Sequence, residues 1–478
     1  MKRYESLAED IARSIRDGLL RPGQRLPSVR QTSARRKVSP ATVFQAYYLL
    51  EARGLIRSRP RSGYYVADDA RPLPPEPERA SQPADGARPV DVSELVFEVL
   101  ESAMVHDVVP LGSAFPSPLL YPLDKLGRAM AGAAQSLDPW STVDDLTPGK
   151  IQLRRQIALR YLIAGVQVSA DEIVITNGAL EALNLCLQAV TRPGDTVVVE
   201  SPCFYAALQA LERHGLHALE VPTHPREGID LDALAQAIER HRPAACWLMT
   251  SFQNPLGCTL PDEKKRALVD LLDRHDIPLI EDDVYAELYF GERRPPPAKA
   301  FDRGGRVLHC GSFSKSLAPG YRVGWVAPGR YRREIAHHKL TFSLATSAPS
   351  QLGLAAYLEK GGYERHLRRL RKALERQRQE YMGAIARHFP EGTRMTRPQG
   401  GYFLWVELPP QVDALALHRQ ALAQGISLAP GPMFSASRAF RHCIRLNYGH
   451  PLDARAEQAI TTLGTLATAF LSPPVGAT

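Results

Sequence analysis

Residues 311–322, Gly-Ser-Phe-Ser-Lys-Ser-Leu-Ala-Pro-Gly-Tyr-Arg, set a single lysine, Lys315, among small hydroxyl residues, with Arg322 seven positions on. A lysine amine condenses with an aldehyde, and serine hydroxyls and a guanidinium hold a phosphate. Lys315 with Ser312, Ser314 and Arg322 therefore suits a cofactor that is both aldehyde and phosphate. Upstream, Thr176-Asn-Gly-Ala-Leu-Glu181 reads as a strand end, a glycine turn and a helix start. At such a helix N-terminus the backbone N–H groups of Gly178, Ala179 and Leu180 are free for a phosphate. Asp282, in Glu281-Asp-Asp-Val-Tyr285, falls at the C-terminal end of a candidate strand, where open α/β sheets bind ligands.

These groups need a scaffold, and the pattern from about residue 91 supplies one. Candidate strands are Glu172–Thr176, Thr196–Glu200, Ala218–Val221, Cys246–Thr250, Leu279–Asp282, Val307–Gly311 and Arg322–Val326, with helical stretches between most of them. That alternation predicts a mainly parallel sheet covered on both faces. A long charged helix over Tyr363–His388 and an α+β tail then predict a smaller second lobe.

The first 66 residues are different. They hold 14 Lys+Arg against 5 Asp+Glu, while the other 412 hold 45 against 46. The basic excess of the chain is confined to this segment, which points to a polyanion partner. Leu7, Ile11, Ile15 and Leu19 recur at helical spacing in a first helix over 4–20. Ser28 and Ser39 are N-caps for two more helices, the second with Pro40 at its first position and running to about Arg53. Two short strands, 55–59 and 63–66, complete the order helix, helix, helix, hairpin. Residues 67–90 carry Pro72, Pro74, Pro75, Pro77, Pro83 and Pro89 and read as a linker. Extended, such a segment reaches roughly 75 Å at ~3.1 Å per residue, enough to dock the first domain on its own body or on a partner's. The expected division is thus 1–66, 67–90 and 91–478.

Scattered cysteines without a C-x-x-C pair argue against a structural zinc and for a reducing compartment. No secretory h-region and no apolar run of ~18 residues is present, so the expectation is a cytoplasmic protein without a membrane span.

Leu26-Pro-Ser-Val-Arg30, Val38-Ser-Pro-Ala-Thr-Val-Phe-Gln-Ala-Tyr47, Leu55-Ile56 and Arg61-Ser-Gly-Tyr-Tyr-Val66 resemble the winged helix-turn-helix of GntR-type regulators over residues 1–66. Ser39, Thr42 and Gln45 at the start of the third helix suit base edges and phosphates. Arg30, Arg35, Arg36 and Lys37 suit backbone phosphates, as do Arg59, Arg61 and Gly63 in the wing. Val43, Ala46, Tyr47 and Leu50 read as core.

In the body, Thr176–Glu181, Glu200-Ser-Pro-Cys-Phe-Tyr205, Ser251-Phe-Gln-Asn-Pro-Leu-Gly257 with Glu281–Tyr285, and Ser312–Lys315 with Arg322 resemble fold-type I pyridoxal-phosphate enzymes of the aspartate aminotransferase class. The resemblance implies that Tyr205 stacks on the pyridine ring, and that Asn254 and Tyr285 reach its phenolic oxygen. It also implies that Asp282 pairs with its nitrogen, that Lys315 forms the Schiff base, and that Arg445, in Ile444-Arg-Leu-Asn447, grips a substrate carboxylate. One departure stands out. Many relatives carry a tyrosine shortly before the Pro-Gly of this region, given to the other chain's phosphate; Val143-Asp-Asp-Leu-Thr-Pro-Gly149 has no aromatic.

Winged helix, linker and aminotransferase-like domain in one chain resemble the MocR subfamily of GntR regulators. That implies a homodimeric transcription factor that binds double-stranded operator DNA, carries pyridoxal 5'-phosphate on Lys315 and senses an amino compound that displaces the lysine. Two alternatives stay open. One is an active aminotransferase, with Lys315 as the base and a secondary DNA-binding domain. The other is a DNA-binding dimer on an unreactive scaffold.

Overall fold

The computed structural model describes residues 2–59, 62–67, 72–102, 108–142 and 148–471. In the first domain Leu7, Ile11, Leu26, Val43, Ala46, Tyr47, Leu50 and Val66 form one small core. It is enclosed by α1 (Arg3–Arg16), α2 (Val29–Arg36), α3 (Pro40–Ala52) and an antiparallel hairpin of β1 (Ile56–Arg59) and β2 (Gly63–Val66). The Ser28 hydroxyl caps α2 by accepting from the Gln31 N–H, and Ser39 caps α3 by accepting from Thr42. The Tyr47 hydroxyl, deep in the core, donates to the Pro27 carbonyl at 2.6 Å and lies 2.7 Å from the Thr32 hydroxyl. α1 is shorter than its periodicity predicts, because the chain turns at Asp17 and at Gly18, whose φ is +71°.

Residues 72–89 do not hang free. The Met395 N–H donates to the Pro75 carbonyl at 3.0 Å, and the Thr223 N–H to the Ser81 hydroxyl at 3.0 Å. The Ser81 hydroxyl donates in turn to the Ser201 carbonyl. Arg88–Pro89 forms β3, added antiparallel to the edge of β6 (His217–His224). A Pro-rich segment makes no internal hydrogen bonds, so its carbonyls are available to any donor the body exposes. The linker is therefore a strap laid across its own chain.

The large domain adds β4 (Val174–Thr176), β5 (Thr196–Ser201), β7 (Gly228–Ile229), β8 (Ala245–Leu248), β9 (Leu279–Asp282), β10 (Val307–Ser312) and β11 (Gly324–Ala327). Together with β3 and β6 they form a nine-stranded sheet of order β3-β6-β5-β8-β9-β10-β11-β4, with β7 beside β6. β6, β5, β8, β9 and β10 run parallel; β11 is antiparallel to both its neighbours, β10 and β4, so β4 runs in the common direction. The helices of this part are α4 (Ser93–Ser102), α5 (Leu123–Gln135), α6 (Ile151–Ile163), α7 (Ala179–Val190), α8 (Tyr205–Arg213), α9 (Leu231–His241), α10 (Asp262–Arg274), α11 (Arg332–Ser343) and α12 (Ala348–Glu359). Buried strand residues such as Val197, Val199, Ile280 and Leu308 give the near-continuous apolar runs of a sheet covered on both faces.

The smaller lobe pairs β12 (Arg394–Met395), β13 (Phe403–Glu407), β15 (Cys443–Asn447) and β14 (Ala429–Pro430) in that antiparallel order. α13 (Gly362–His388), α14 (Ala414–Leu422) and α15 (Ala454–Ala469) belong with it. The first domain rests on α13, where Gly383 leaves room for α3: a Cβ there would lie 2.5 Å from the Ala52 carbonyl oxygen. Among the described residues no helix is long and apolar enough to cross a membrane.

Candidate cofactor and nucleic-acid sites

Several strand ends and one loop bring the ionisable groups of the body together. β10 ends at Ser312, and Lys315 follows in the turn after it. The Lys315 amine donates to the Ala114 carbonyl at 2.8 Å and lies 3.8 Å from the centre of the Phe115 ring. Burial disfavours the ammonium, and Arg445 adds to the effect, so the amine is pushed down to about 7. Asp282, at the end of β9, is pushed up to about 7 by burial and then by the charge of Asp283. Asn254 and Arg445 are fully buried and joined, the Arg445 Nη1 donating to the Asn254 Oδ1 at 3.1 Å.

Three buried atoms of this group are left over. Asp282 Oδ1, Asn254 Nδ2 and Arg445 Nε have no hydrogen-bond partner among the described residues. Buried polar groups are normally paired, so an acceptor and two donors left over in one cluster call for complementary groups from elsewhere. Tyr285 and Tyr205 supply rings. Tyr285 packs edge-on to Tyr402 and Phe403, with its centre 6.0 Å from the Lys315 amine; Tyr205 opens α8 and meets Phe434. Burial pushes both hydroxyls up, so both stay protonated.

Gly178, Ala179 and Leu180 form the N-terminus of α7, and Arg322 lies across it, donating to the Asn177 carbonyl at 3.3 Å. Gly178 has φ +84°, and a Cβ there would come within 2.5 Å of the Arg322 guanidinium. Arg322 does not open a strand, contrary to the sequence expectation. It follows a short turn, Pro319–Tyr321, in the left-handed conformation (φ +51°), and β11 starts two residues later. The Ser312 hydroxyl lies 2.9 Å from that of Ser314, and both are buried.

The segment Gly112–Phe115 is absent from the sequence reading of the site. Its carbonyls accept from Arg445 (Gly112, 2.7 Å), from Lys315 and from the Tyr402 hydroxyl (Ala114, 3.0 Å). Asn447 holds the same loop through the Ser113 and Phe115 carbonyls. Gly112 is packed so tightly that a Cβ would lie 2.6 Å from the Leu428 backbone. The signal available was a small Gly-Ser-Ala-Phe-Pro run without a single ionisable side chain.

In the first domain Arg30, Arg35, Lys37 and Ser39 are exposed, and Thr42 is half-buried beside its cap. Gly63, at φ +108°, opens β2; Arg61 lies outside the described residues, as do residues 143–147 of the departing segment. Arg36, also exposed, pairs with Asp10 of α1 at 3.2 Å. Arg25, unread in the sequence, lines a hollow of about 480 Å³ with Ser28, Gln31 and Arg35. Gln45 lies exposed with Phe44 and Tyr48 on a larger cavity, of about 1340 Å³, between this domain and the body.

The family models agree with this division of labour. Residues 3–66 match the bacterial regulatory proteins of the gntR family, and residues 145–463 match aminotransferase class I and II. The uncharacterized HTH-type transcriptional regulator YdcR of Escherichia coli is 48% identical over 98% of this chain and 99% of its own. Among solved structures, the multiple substrate aminotransferase of Thermococcus profundus superposes with a TM-score of 0.73 at 28% identity, covering 80% of this chain and 96% of that one. The α-aminoadipate aminotransferase LysN of Thermus thermophilus, complexed with N-(5'-phosphopyridoxyl)-L-leucine, does so with a TM-score of 0.71 at 31% identity, covering 79% and 95%. A GntR helix-turn-helix joined to a fold-type I aminotransferase domain defines a DNA-binding regulator built on a pyridoxal-phosphate fold. This chain belongs to the GntR-type regulators that carry such a domain, the MocR kind.

Proposed function

We propose that the protein works in the cytoplasm as a homodimeric transcriptional regulator that holds pyridoxal 5'-phosphate at Lys315 and senses an amino compound there. The observation that carries this reading is the set of unpartnered buried atoms around Lys315. A ring N–H, a phenolic oxygen and a ligand carboxylate are the partners that Asp282 Oδ1, Asn254 Nδ2 and Arg445 Nε lack. Tyr285 would share the phenolic oxygen and Tyr205 would cover the ring. The α7 N-terminus with Ser312, Ser314 and Arg322 would hold the phosphate. When bound, the cofactor supplies an aldehyde for an amine and an electron-withdrawing ring.

The residues of the chain do the rest. Arg445 orients a carboxylate, though it must first release the Gly112 carbonyl. Lys315, with its amine near neutrality, is ready as a nucleophile and as a carrier of one proton. Exposed Leu119, Leu180, Phe342 and Leu344 favour a second copy of the chain as a cover, and two DNA-reading domains suit two half-sites.

Replacing Lys315 with alanine tests the reading. The variant should lose the visible absorption of the lysine-bound cofactor and any response to amino compounds, yet retard DNA in a gel like the parent. A ligand response equal to the parent's would sink the sensor. In the parent, bleaching of the band with release of a keto acid would make the protein an aminotransferase instead.

A further inference from the structure

Helix α13 carries a row of cations that the site above does not use. Arg365, Arg368, Arg369, Lys372 and Arg376 are all exposed. At 100° per residue they fall within one third of the helix circumference. Arg376 pairs with Glu380 at 3.6 Å; the other four have no ion pair among the described residues. The body as a whole is not basic, with 45 Lys+Arg against 46 Asp+Glu beyond residue 66, so the row is a local concentration.

Its position is the informative part. α13 is the helix on which the DNA-binding domain rests, through Gly383 against Ala52, Gln379 with Arg53 at 3.4 Å and Glu375 with Lys2 at 3.5 Å. The row begins beside these contacts and runs away from them toward the start of α13. Lys372 and Arg376 look into the same cavity as Phe44, Gln45 and Tyr48, the exposed face of α3, and Arg293 and Arg397 line it as well.

We propose that the row on α13 is a second DNA-binding surface. In this view a duplex read by the winged helix continues along the body with its phosphates on Arg365, Arg368, Arg369, Lys372 and Arg376. The dimensions suit the partner. From Arg365 to Arg376 the helix rises about 17 Å. One strand of B-DNA presents about five phosphates over that length. The inference rests on DNA binding by the winged helix.

The test is the salt dependence of binding by the full-length protein to a duplex of arbitrary sequence, since phosphate contacts ignore sequence. The triple variant Arg365→Gln, Arg368→Gln, Arg369→Gln should flatten the slope of log affinity against log salt by about 2 to 3, at about 0.9 per lost contact. Its visible cofactor band should match the parent's, which shows that the body is folded. A control triple at exposed Arg192, Arg213 and Arg419 changes net charge equally and should leave the slope alone. Arg30→Gln, in the winged helix, should flatten the slope by about 1. If Arg30→Gln acts and the α13 triple does not, the row is a solvated face and the proposal fails. Equal effects of the two triples would overturn it too, as a net-charge effect.

Discussion

Lys315 shows what a sequence reveals at the scale of one residue. The proposed roles, a nucleophilic amine, a ring-facing carboxylate and a carboxylate-gripping guanidinium, each demand one residue type, so Lys315, Asp282 and Arg445 stood out. The loop Gly112–Phe115 did not, because it acts through carbonyl oxygens that every residue possesses. What the sequence could not convey is the electrostatic state of the amine. Burial and Arg445 lower it from 10.5 to about 7, and an ionised Asp282 opposes them. Only the neutral amine attacks an aldehyde. Capture of pyridoxal phosphate by cofactor-free protein should therefore accelerate about tenfold between pH 6 and pH 8 and then level off. Stopped-flow absorbance measures this directly. An amine of ordinary basicity would keep gaining about tenfold per pH unit up to its own pKa, and that result would mean Lys315 is hydrated rather than buried.

At the scale of elements, periodicity located the parallel strands and the caps at Ser28 and Ser39, since these depend on local pattern. It misjudged Arg322 and left open where the linker is tied. Arg322 reads as a strand residue by neighbourhood, yet it is held left-handed where its guanidinium crosses the start of α7. The linker's prolines announce an extended chain and say nothing about the donors it meets at Met395 and Thr223. The seat of the DNA-binding domain was equally silent, since Gly383 lies inside a helix where glycine is ordinarily a weakness. Here it serves close approach. Gly383→Ala would push a methyl group to 2.5 Å from the Ala52 carbonyl oxygen. Overpacking of this kind costs about 1–3 kcal/mol, which the inter-domain contact bears alone. The variant should leave the melting of the body unchanged while limited proteolysis between residues 67 and 90 speeds up. Unchanged proteolysis would show that the seat adjusts and that Gly383 is not what sets it.

For the whole molecule the question is how the Lys315 pocket and the DNA surface feel each other. The strap gives a physical route. It is tied to the smaller lobe at Met395 and Arg397 and to the large domain at Ser201, Thr223 and His224. It then leads back to a DNA-binding domain seated on α13 of the smaller lobe. Arg445, on β15, belongs to that lobe, while Lys315 and Asp282 belong to the large domain. On the proposed function, a ligand joining Arg445 to Lys315 would bridge the two lobes, and any shift of one lobe against the other would load the strap, which is hydrogen-bonded to both. Such coupling is reciprocal: the factor by which ligand changes DNA affinity equals the factor by which DNA changes ligand affinity, within about 5- to 150-fold in ordinary cases. Ser81 holds the strap to the large domain from both sides, accepting from Thr223 and donating to Ser201. Ser81→Ala, which touches neither site, should leave each affinity measured alone near its parent value and lower the coupling factor. Calorimetric titrations of ligand with and without DNA read that factor. A factor equal to the parent's in Ser81→Ala would mean that the lobes communicate through α13 alone, with the strap as a passive tether.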